Sequence, residues 1–398
     1  MMGEMDNRAN TCQQGVFSIG IVCYRNWCFL KEAIDSVLEQ DYGQIQLIVS
    51  DDCSKGFPIQ MFEEYIKANR KSNIIDFVVR QSAQNEGTVR HLNHVLDEAH
   101  GEYLMFMAAD DKLAGSDVLS RYESTFEREG LNCGAVLSQT ALYDRSMQHL
   151  EGYFVYSDVA EAINQNEYSD ELLNYLYMFP VVPTTSICCR KWIFEKFGKF
   201  DTDYKLIEDY PLHIKLAENH VKLHYENFVG AKHRDGGISH GAVKALSASK
   251  RMYLEDCLKA RKKVLNRVEK IENRNDLRSY NAWQIRSIQW ALLTQGKGLW
   301  GKLKYAQRYP IDFFLILCRK VKKKYVYQSI ALLCILTCLM HFRKNIAIKL
   351  AEYLPITDVA AFTMRFYGGL RMVSVLTLIV ICCLCIMGIV KKIDRFPA

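Results

Sequence analysis

The sequence lacks both glycine-rich motifs by which dinucleotide-binding folds and P-loop proteins hold phosphates. The turn after the first predicted strand reads CYRNW, without a glycine, and no GxxxxGK followed by Ser or Thr occurs. Because those glycines let the backbone approach a phosphate closely, a dinucleotide-dependent oxidoreductase and a P-loop enzyme are excluded. Internal repeats and low-complexity runs are also missing. The polar N-terminus, residues 1–15, lacks the apolar core of a signal peptide, so we expect the body of the chain to stay in the cytosol.

An even distribution of charge is missing as well. Residues 1–240 contain 22 Lys and Arg against 36 Asp and Glu, a net charge of −14, whereas residues 241–398 contain 29 against 9, a net charge of +20. The hydrophobic fraction of 49% excludes a disordered or collagen-like chain. The 14 cysteines are scattered, and several lie in apolar runs, so we interpret them as reduced, buried side chains. The chain is therefore an acidic globular body followed by a basic region.

Two apolar segments in the basic region predict contact with a membrane. Residues 372–390 contain only Ser374 and Thr377 as polar interruptions, and as a helix they would extend over about 28 Å, close to the thickness of a bilayer core. Residues 325–342 are shorter and less apolar; they either span the membrane or lie in its interface, and we favour spanning. Basic residues flank both segments, as is typical of residues that face anionic lipid. The apolar segments favour a membrane over a nucleic acid as the partner of the basic charge.

Apolar runs and helical spacings alternate through the acidic body. Strands are predicted at residues 17–23, 45–50, 74–79 and 103–108, and apolar residues spaced three and four apart lie between them. This alternation predicts an α/β fold with a mostly parallel sheet and helices on both of its faces. A long amphipathic helix over residues 247–271 is expected to connect the body to the membrane region.

Paired carboxylates follow two of the predicted strands. Asp51 and Asp52 end one strand, and Asp110 and Asp111 end another. In open α/β sheets, ligands bind outside the carboxyl ends of the strands. Crowded carboxylates are costly unless a cation or hydrogen-bond donors sit among them, and their oxygens suit Mg²⁺ or Mn²⁺, which in turn bind a diphosphate. The two pairs therefore predict a nucleotide site at this edge of the sheet.

Six sequence blocks follow one another through the body: FSIGIVCYRN, AIDSVLEQDY, LIVSDDCS, NEGTVRHLN, GEYLMFMAADD and IEDYPL. Together they resemble family 2 glycosyltransferases, inverting enzymes with the GT-A fold. The resemblance implies a GT-A domain over residues 17–240. Residues 1–16 would then form a flexible N-terminus, residues 241–324 a helical basic linker with an interfacial segment, and residues 325–398 the membrane segments with a short tail.

The resemblance also implies a role for each matched residue. Asp209 would be the general base that takes the proton of the acceptor hydroxyl, with Glu208 beside it. Asp110 would bind Mg²⁺ or Mn²⁺, helped by His233 or His240 from a later loop, and the ion would stabilise the leaving diphosphate. The residues that would bind the nucleotide-sugar donor are Cys23, Tyr24, Asp51, Asp52, Asn85, Gly87, Arg90, Asn93, Asp111, Glu208 and Arg234.

Two departures from the family pattern leave a second function open. Ala108 stands where the DXD motif begins with Asp, and Arg25 stands where Asn is usual. A catalytically weakened domain that serves as a membrane scaffold for partner enzymes is therefore an alternative. The loop that carries His233 also suits a solvated glycine-rich turn, and the pair Glu208-Asp209 also suits a helix N-terminus. A nucleotidyltransferase shares the acidic strand ends, but this chain lacks its glycine-rich basic loop.

The resemblance and the apolar tail together predict a membrane-anchored hexosyltransferase on the cytoplasmic face of a bacterial inner membrane. The expected reaction transfers a sugar from a nucleotide-sugar, with UDP as the expected nucleotide, to an acceptor hydroxyl with inversion by single displacement. The expected acceptor is a lipid-linked glycan, because a membrane anchor raises the effective concentration of such an acceptor. The product class implied is an O-antigen, capsule or exopolysaccharide, and no nucleic-acid partner is expected.

Overall fold

The computed structural model of the chain describes residues 12–165, 170–178, 180–237, 246–295 and 298–309. The chain divides into two units, residues 1–288 and residues 289–398, and the sheet and the candidate site lie in the first. The first seven β-strands and α-helices are β1 (Gln13–Cys23), α1 (Leu30–Leu38), β2 (Ile45–Asp51), α2 (Ile59–Asn69), β3 (Ile74–Gln81), α3 (Thr88–Glu98) and β4 (Gly101–Ala108). Each lies where the apolar runs and helical spacings predict it, and the strands pair in the parallel order β3-β2-β1-β4.

The second half of the sheet is mixed. Its elements are β5 (Lys112–Leu113), α4 (Val118–Glu129), β6 (Cys133–Tyr143), β7 (Leu150–Tyr153), α5 (Ser157–Gln165), α6 (Asp170–Met178), β8 (Ile187–Arg190), α7 (Trp192–Phe197), α8 (Asp209–Glu218) and β9 (Lys222–Arg234). The strand order continues β4-β8-β6-β9-β5, with β7 on β6, and β8 runs antiparallel to both of its neighbours. The expected mostly parallel sheet is therefore found only in its first half. An inserted strand such as β8 reverses direction through contacts with distant strands, which a local pattern does not encode.

Helices cover both faces of the sheet, as predicted, because the strand residues alternate between two apolar cores. Phe17 and Ile19 of β1 belong to the core that includes α1, α2 and α4. Leu104 of β4 belongs to the other core, with α3, α7 and α8. Gly20 brings α3 close to β1, since a Cβ built on Gly20 would lie 2.5 Å from Cγ1 of Val95. This close packing places α3, whose N-terminus is part of the candidate site, directly against β1.

Three further helices follow the sheet: α9 (Ala248–Val268), α10 (Asn275–Thr294) and α11 (Gly298–Arg308). The side chain of Ser247 accepts a hydrogen bond from the backbone N–H of Lys250 and caps α9. Ala260 and Val264 of α9 are buried in the same core as α8. The long amphipathic helix predicted at residues 247–271 is confirmed. Its apolar face packs on the sheet domain, a role that its periodicity alone does not indicate.

Among the residues that the structure describes, no helix has the length and apolar character needed to cross a membrane. Both segments that predict membrane contact, residues 325–342 and residues 372–390, lie outside the described residues. The membrane segments therefore remain predictions from the sequence.

A buried histidine on α8 predicts a dependence of stability on pH. His213 is fully buried, and neither ring nitrogen has a hydrogen-bond partner in the described part of the chain. Burial lowers the pKa of His213 from its usual 6.5 to about 4, so the ring is neutral in the folded protein. The unfolded chain binds a proton below about pH 6.5 and the folded chain does not, so stability is lost as pH falls through that range.

We expect His213→Leu to remove this part of the acid sensitivity. When the pH is lowered from 7 to 5, the free energy of unfolding of the unmodified chain should fall by about 2 kcal/mol more than that of the variant. Urea unfolding at both pH values measures the difference. Equal changes in stability for the two proteins would contradict a neutral, buried His213.

Candidate active site

The carboxyl ends of β1 and β2 form one wall of the candidate site around Asp51. Asp51 pairs with Cys23 in the sheet register, which places both at the same edge. Asp51 is fully buried, and its Oδ2 accepts hydrogen bonds from the backbone N–H of Ser54 at 2.6 Å and the side-chain amide of Gln81 at 2.8 Å. Oδ1 of Asp51 is also buried, but no donor reaches it from the described residues. That oxygen is therefore placed to accept a hydrogen bond from a ligand.

Cys23 and Tyr24 continue this wall. Burial raises the pKa of the Cys23 thiol, and the negative charges of Asp51 and Asp110 raise it further, so the thiol stays protonated. The guanidinium carbon of Arg25 lies 4.8 Å from the centre of the Tyr24 ring. The thiol of Cys23 is thus close to the carboxylates of both Asp51 and Asp110, because β1 lies between β2 and β4 in the sheet.

Asp52 holds the loop that precedes α3. Its Oδ1 accepts from the backbone N–H of Glu86 at 2.9 Å, and its Oδ2 accepts from the backbone N–H of Gly87 at 2.9 Å and from Nδ2 of Asn85 at 3.1 Å. Gly87 has φ +83°, and a Cβ there would lie 2.9 Å from the carbonyl oxygen of Lys205. Glycine is required for both reasons. Asp52, Asn85 and Gly87 thus shape this edge of the site through their bonds to one another.

Two other residues with predicted donor-binding roles lie on α3. Arg90 is exposed. Asn93 bonds the backbone of Phe200 in both directions at 3.0 Å, through its Nδ2 to the carbonyl and its Oδ1 from the N–H. Asn93 therefore ties α3 to the segment before α8. The donor-binding role of both residues stays a prediction.

The second acidic pair is divided between two environments. Asp111 is buried, and its carboxylate accepts from the hydroxyl of Thr185 at 2.8 Å, from the backbone N–H of Arg234 at 3.2 Å and from Nδ1 of His233 at 2.9 Å. Burial lowers the pKa of His233, but the hydrogen bond to Asp111 and the negative charges of Asp111, Asp110 and Asp235 together outweigh this effect, and the pKa is raised overall. Asp110 is half-buried, and its pKa is raised by burial and by the charge of Asp111. Asp110 is thus the member of the pair whose raised pKa a bound cation would lower.

Arg234 is buried, and protein groups surround its guanidinium. Nε donates to the backbone carbonyl of Asp110 at 3.0 Å, NH1 to the carbonyl of Arg145 at 2.8 Å, and NH2 to Oε2 of Glu32 at 2.8 Å. The guanidinium carbon also lies 4.2 Å from the centre of the Phe29 ring. These contacts hold the chain after β4 in place, and any contact of Arg234 with a donor stays a prediction.

Glu208 and Asp209 form a pair of carboxyl groups at the start of α8. Oε1 of Glu208 accepts from the hydroxyl of Thr184 at 2.6 Å, and Oδ1 of Asp209 accepts from the backbone N–H of Tyr210 at 2.6 Å. Burial raises the pKa of both groups; the charge of Asp209 raises that of Glu208 further, and the N–H of Tyr210 offsets part of the rise at Asp209. The two groups therefore favour a state in which they hold one proton between them.

A cavity of about 290 Å³ brings the later site residues together. Asp111, Glu208, Asp209 and His233 line it, and much of the remaining wall is apolar. Sequence reasoning missed two groups of lining residues. Thr184 and Thr185 lie in a short helical turn before β8, and the only local sequence signal for that turn is the preceding Pro183. The α9 side chains Tyr253, Cys257 and Arg261 also line the cavity.

The metal-binding prediction names Asp110, His233 and His240. Within the described ranges, no three His, Cys, Asp or Glu side chains are close enough together to hold a metal ion. Asp110 and His233 both lie beside Asp111, and His240 lies outside the described residues. Binding of a divalent cation by Asp110, His233 or His240 therefore stays a prediction.

The comparison with protein families agrees with the first five of the six sequence blocks. Residues 18–188 match the model of the family described as Glycosyl transferase family 2. This part of the chain therefore belongs to the family 2 glycosyltransferases. The match includes the strand ends with Asp51 and Asp110. Glu208, Asp209 and the α9 wall of the cavity lie beyond it.

Individual relatives are distant. The chain is 22% identical over 227 residues to a "Processive diacylglycerol beta-glycosyltransferase" of Mycoplasma genitalium, covering 54% of this chain and 62% of the relative. It is 27% identical over 234 residues to an uncharacterized glycosyltransferase of Rickettsia typhi, covering 58% and 67%. Among solved structures, Staphylococcus aureus TarS in complex with UDP-GlcNAc has a TM-score of 0.49 and 14% identity, covering 90% of both chains. The chain thus spans less than two thirds of the Mycoplasma protein.

Proposed function

We propose that this protein transfers a sugar from a nucleotide-sugar to an acceptor hydroxyl, with inversion at the anomeric carbon. The observation that carries the proposal is the pair Glu208-Asp209 in one cavity with Asp111 and His233, close to the strand ends of a family 2 domain. A cavity that joins an acid–base pair to a carboxylate beside the strand ends suits a single displacement. The base acts on the acceptor while the strand ends hold the donor.

The donor would bind along the strand ends. The buried Oδ1 of Asp51, which no donor reaches from the described residues, would accept an N–H of the nucleotide base, with Cys23 and Tyr24 beside it. UDP is the nucleotide that the resemblance implies. A divalent cation held by Asp110 and the donor's diphosphate oxygens would offset the negative charge of the leaving group.

Asp209 would act as the general base. Glu208, whose pKa is raised by burial and by the charge of Asp209, retains the proton that the two share, and this leaves Asp209 as a carboxylate. The acceptor oxygen attacks the anomeric carbon as its proton passes to Asp209, and the bond from that carbon to the diphosphate oxygen breaks. The nucleoside diphosphate leaves, and the new glycosidic bond has the inverted configuration.

The acceptor we propose is a lipid-linked glycan at the cytoplasmic face of a bacterial inner membrane, within polysaccharide biosynthesis. Three observations support it: the apolar wall of the cavity, the basic region with its two predicted membrane segments, and the similarity to the Mycoplasma protein, which is named as a diacylglycerol glycosyltransferase. The scaffold alternative rests on Ala108, which removes one carboxylate from the strand end, and on no other described residue.

A donor screen tests the proposal directly. Full-length protein in membranes is mixed with each of a set of UDP-, GDP- and dTDP-sugars, with and without Mn²⁺, and the released nucleoside diphosphate is measured. We expect release from one nucleotide class, stimulated by Mn²⁺ and by extracted lipid-linked acceptor. The anomer of the product, determined by NMR, tests inversion. Folded protein that releases nothing from any donor, with any acceptor, would contradict the proposal.

A further inference from the structure

A buried carboxylate on α9 holds the segment that leads into Glu208 and Asp209. Asp256 is 7% exposed, and its Oδ2 accepts hydrogen bonds from the backbone N–H groups of Lys205 and Leu206, both at 2.7 Å. Charge-assisted bonds of this length are among the stronger hydrogen bonds in proteins. Removing the acceptor would leave two N–H groups in a partly buried place without a partner.

The same segment is held from the opposite side by α3. The carbonyl oxygen of Lys205 accepts from the backbone N–H of Val89 at 3.1 Å. Gly87 permits this close approach, because a Cβ at that position would lie 2.9 Å from the same carbonyl oxygen. Lys205 is therefore bonded at its carbonyl to α3 and at its N–H to α9. A peptide fixed at both ends transmits the position of each helix to the residues that follow it.

These bonds continue to the donor end of the site. Asp52, at the end of β2, accepts from the backbone N–H groups of Glu86 and Gly87, directly before α3. One continuous set of hydrogen bonds thus runs from the strand end through the α3 N-terminus to Lys205, and from there to Asp256. Lys205 and Asp256 both lie outside the matched family region of residues 18–188, and Asp256 is the member of the set that lies on α9.

We infer that Asp256 is a positioning residue, which places the catalytic pair Glu208-Asp209 relative to the donor end of the site. The inference rests on the proposed function, since it names a further requirement of the same site. Asp256 does not line the cavity, although Tyr253 and Cys257 on the same helix do. Its effect is therefore exerted through the backbone of Lys205 and Leu206. Displacement of a general base by about 1 Å can cost about 100-fold in rate.

The test compares three variants of the full-length protein. Asp256→Ala removes both bonds, and we expect kcat to fall by about 10- to 100-fold while KM for the donor changes less than about two-fold. Asp256→Asn keeps a carbonyl oxygen as acceptor and should recover much of the loss. Lys263→Ala is the matched control: Nζ of Lys263 also bonds from α9 to this segment, at Asp201 and Asp203, but on its exposed side.

Amide hydrogen exchange of the peptide over residues 203–209 gives a readout that does not need activity. In Asp256→Ala we expect faster exchange at Lys205 and Leu206, and no such change in Lys263→Ala. Normal kcat together with unchanged exchange in a folded Asp256→Ala variant would overturn the inference, as would an equal loss of kcat in Lys263→Ala. If the unmodified protein is inactive with every donor, the proposed function fails. Exchange then decides alone whether Asp256 positions this segment.

Discussion

Asp209→Asn is expected to lower kcat by about 100- to 10,000-fold, the usual contribution of a general base. The substitution keeps the size of the side chain and an oxygen that can accept from the N–H of Tyr210. It removes only the ability to take a proton from the acceptor. Released nucleoside diphosphate measures the rate, and donor binding, followed by calorimetry, should be close to that of the unmodified protein.

Glu208→Gln is the matched control for this variant. Glutamine imitates a protonated Glu208 and keeps an oxygen for the hydroxyl of Thr184, so we expect a much smaller loss of kcat. In the unmodified protein, kcat should rise with pH above the usual range for aspartate, because burial raises the pKa of Asp209. If Glu208→Gln lowered kcat as much as Asp209→Asn does, the assignment of Asp209 as the base would be wrong.

Asp110→Asn is expected to reduce kcat/KM for the donor by about 100-fold or more, because a metal ion at the leaving group contributes several kcal/mol to the stability of the transition state. Burial and the charge of Asp111 raise the pKa of the half-buried Asp110 carboxyl group. A bound cation would favour its charged form. The activity that remains should respond much less to Mn²⁺. Initial rates over a range of Mn²⁺ concentrations measure both effects.

Asp111→Asn provides the contrast. Asp111 accepts from Thr185, His233 and Arg234, so its substitution should lower the free energy of unfolding by about 1–3 kcal/mol. Asp110→Asn should leave stability nearly unchanged.

The variants Asp110→Asn and Asp209→Asn also decide between the enzyme and the scaffold. Cells that carry Asp110→Asn or Asp209→Asn and still make normal surface glycan would favour the scaffold.

Local sequence patterns predicted the elements that form the donor end of the site. The apolar runs at residues 17–23 and 45–50 fall within β1 and β2, and the carboxylate Asp51 lies at the strand end where the pattern placed it. The periodicity of residues 247–271 likewise matches α9. Such patterns succeed because strands and helices impose short repeats on side-chain environment, and a turn interrupts each repeat.

The same patterns did not distinguish ligand-binding side chains from supporting ones. Asp51 and Asp52 are adjacent in sequence, but only Asp51 keeps a buried oxygen without a donor from the described residues, while Asp52 holds the loop before α3. The guanidinium of Arg234, a residue for which the resemblance implies donor binding, donates to Glu32 and Arg145, and its contact with a donor stays a prediction. Those partners are far away in sequence, so no spacing rule reveals them.

The α/β alternation, the acidic strand ends and the match of residues 18–188 to family 2 all follow from the amino-acid sequence alone. The antiparallel direction of β8, the α9 wall of the cavity and the support that Asp256 gives to the segment before Glu208 are seen only in the folded chain. The difference lies in how far apart in the sequence the interacting residues are. Residues close in the chain share one element and its repeat, whereas hydrogen bonds across the cavity join elements whose contacts exist only after the chain has folded.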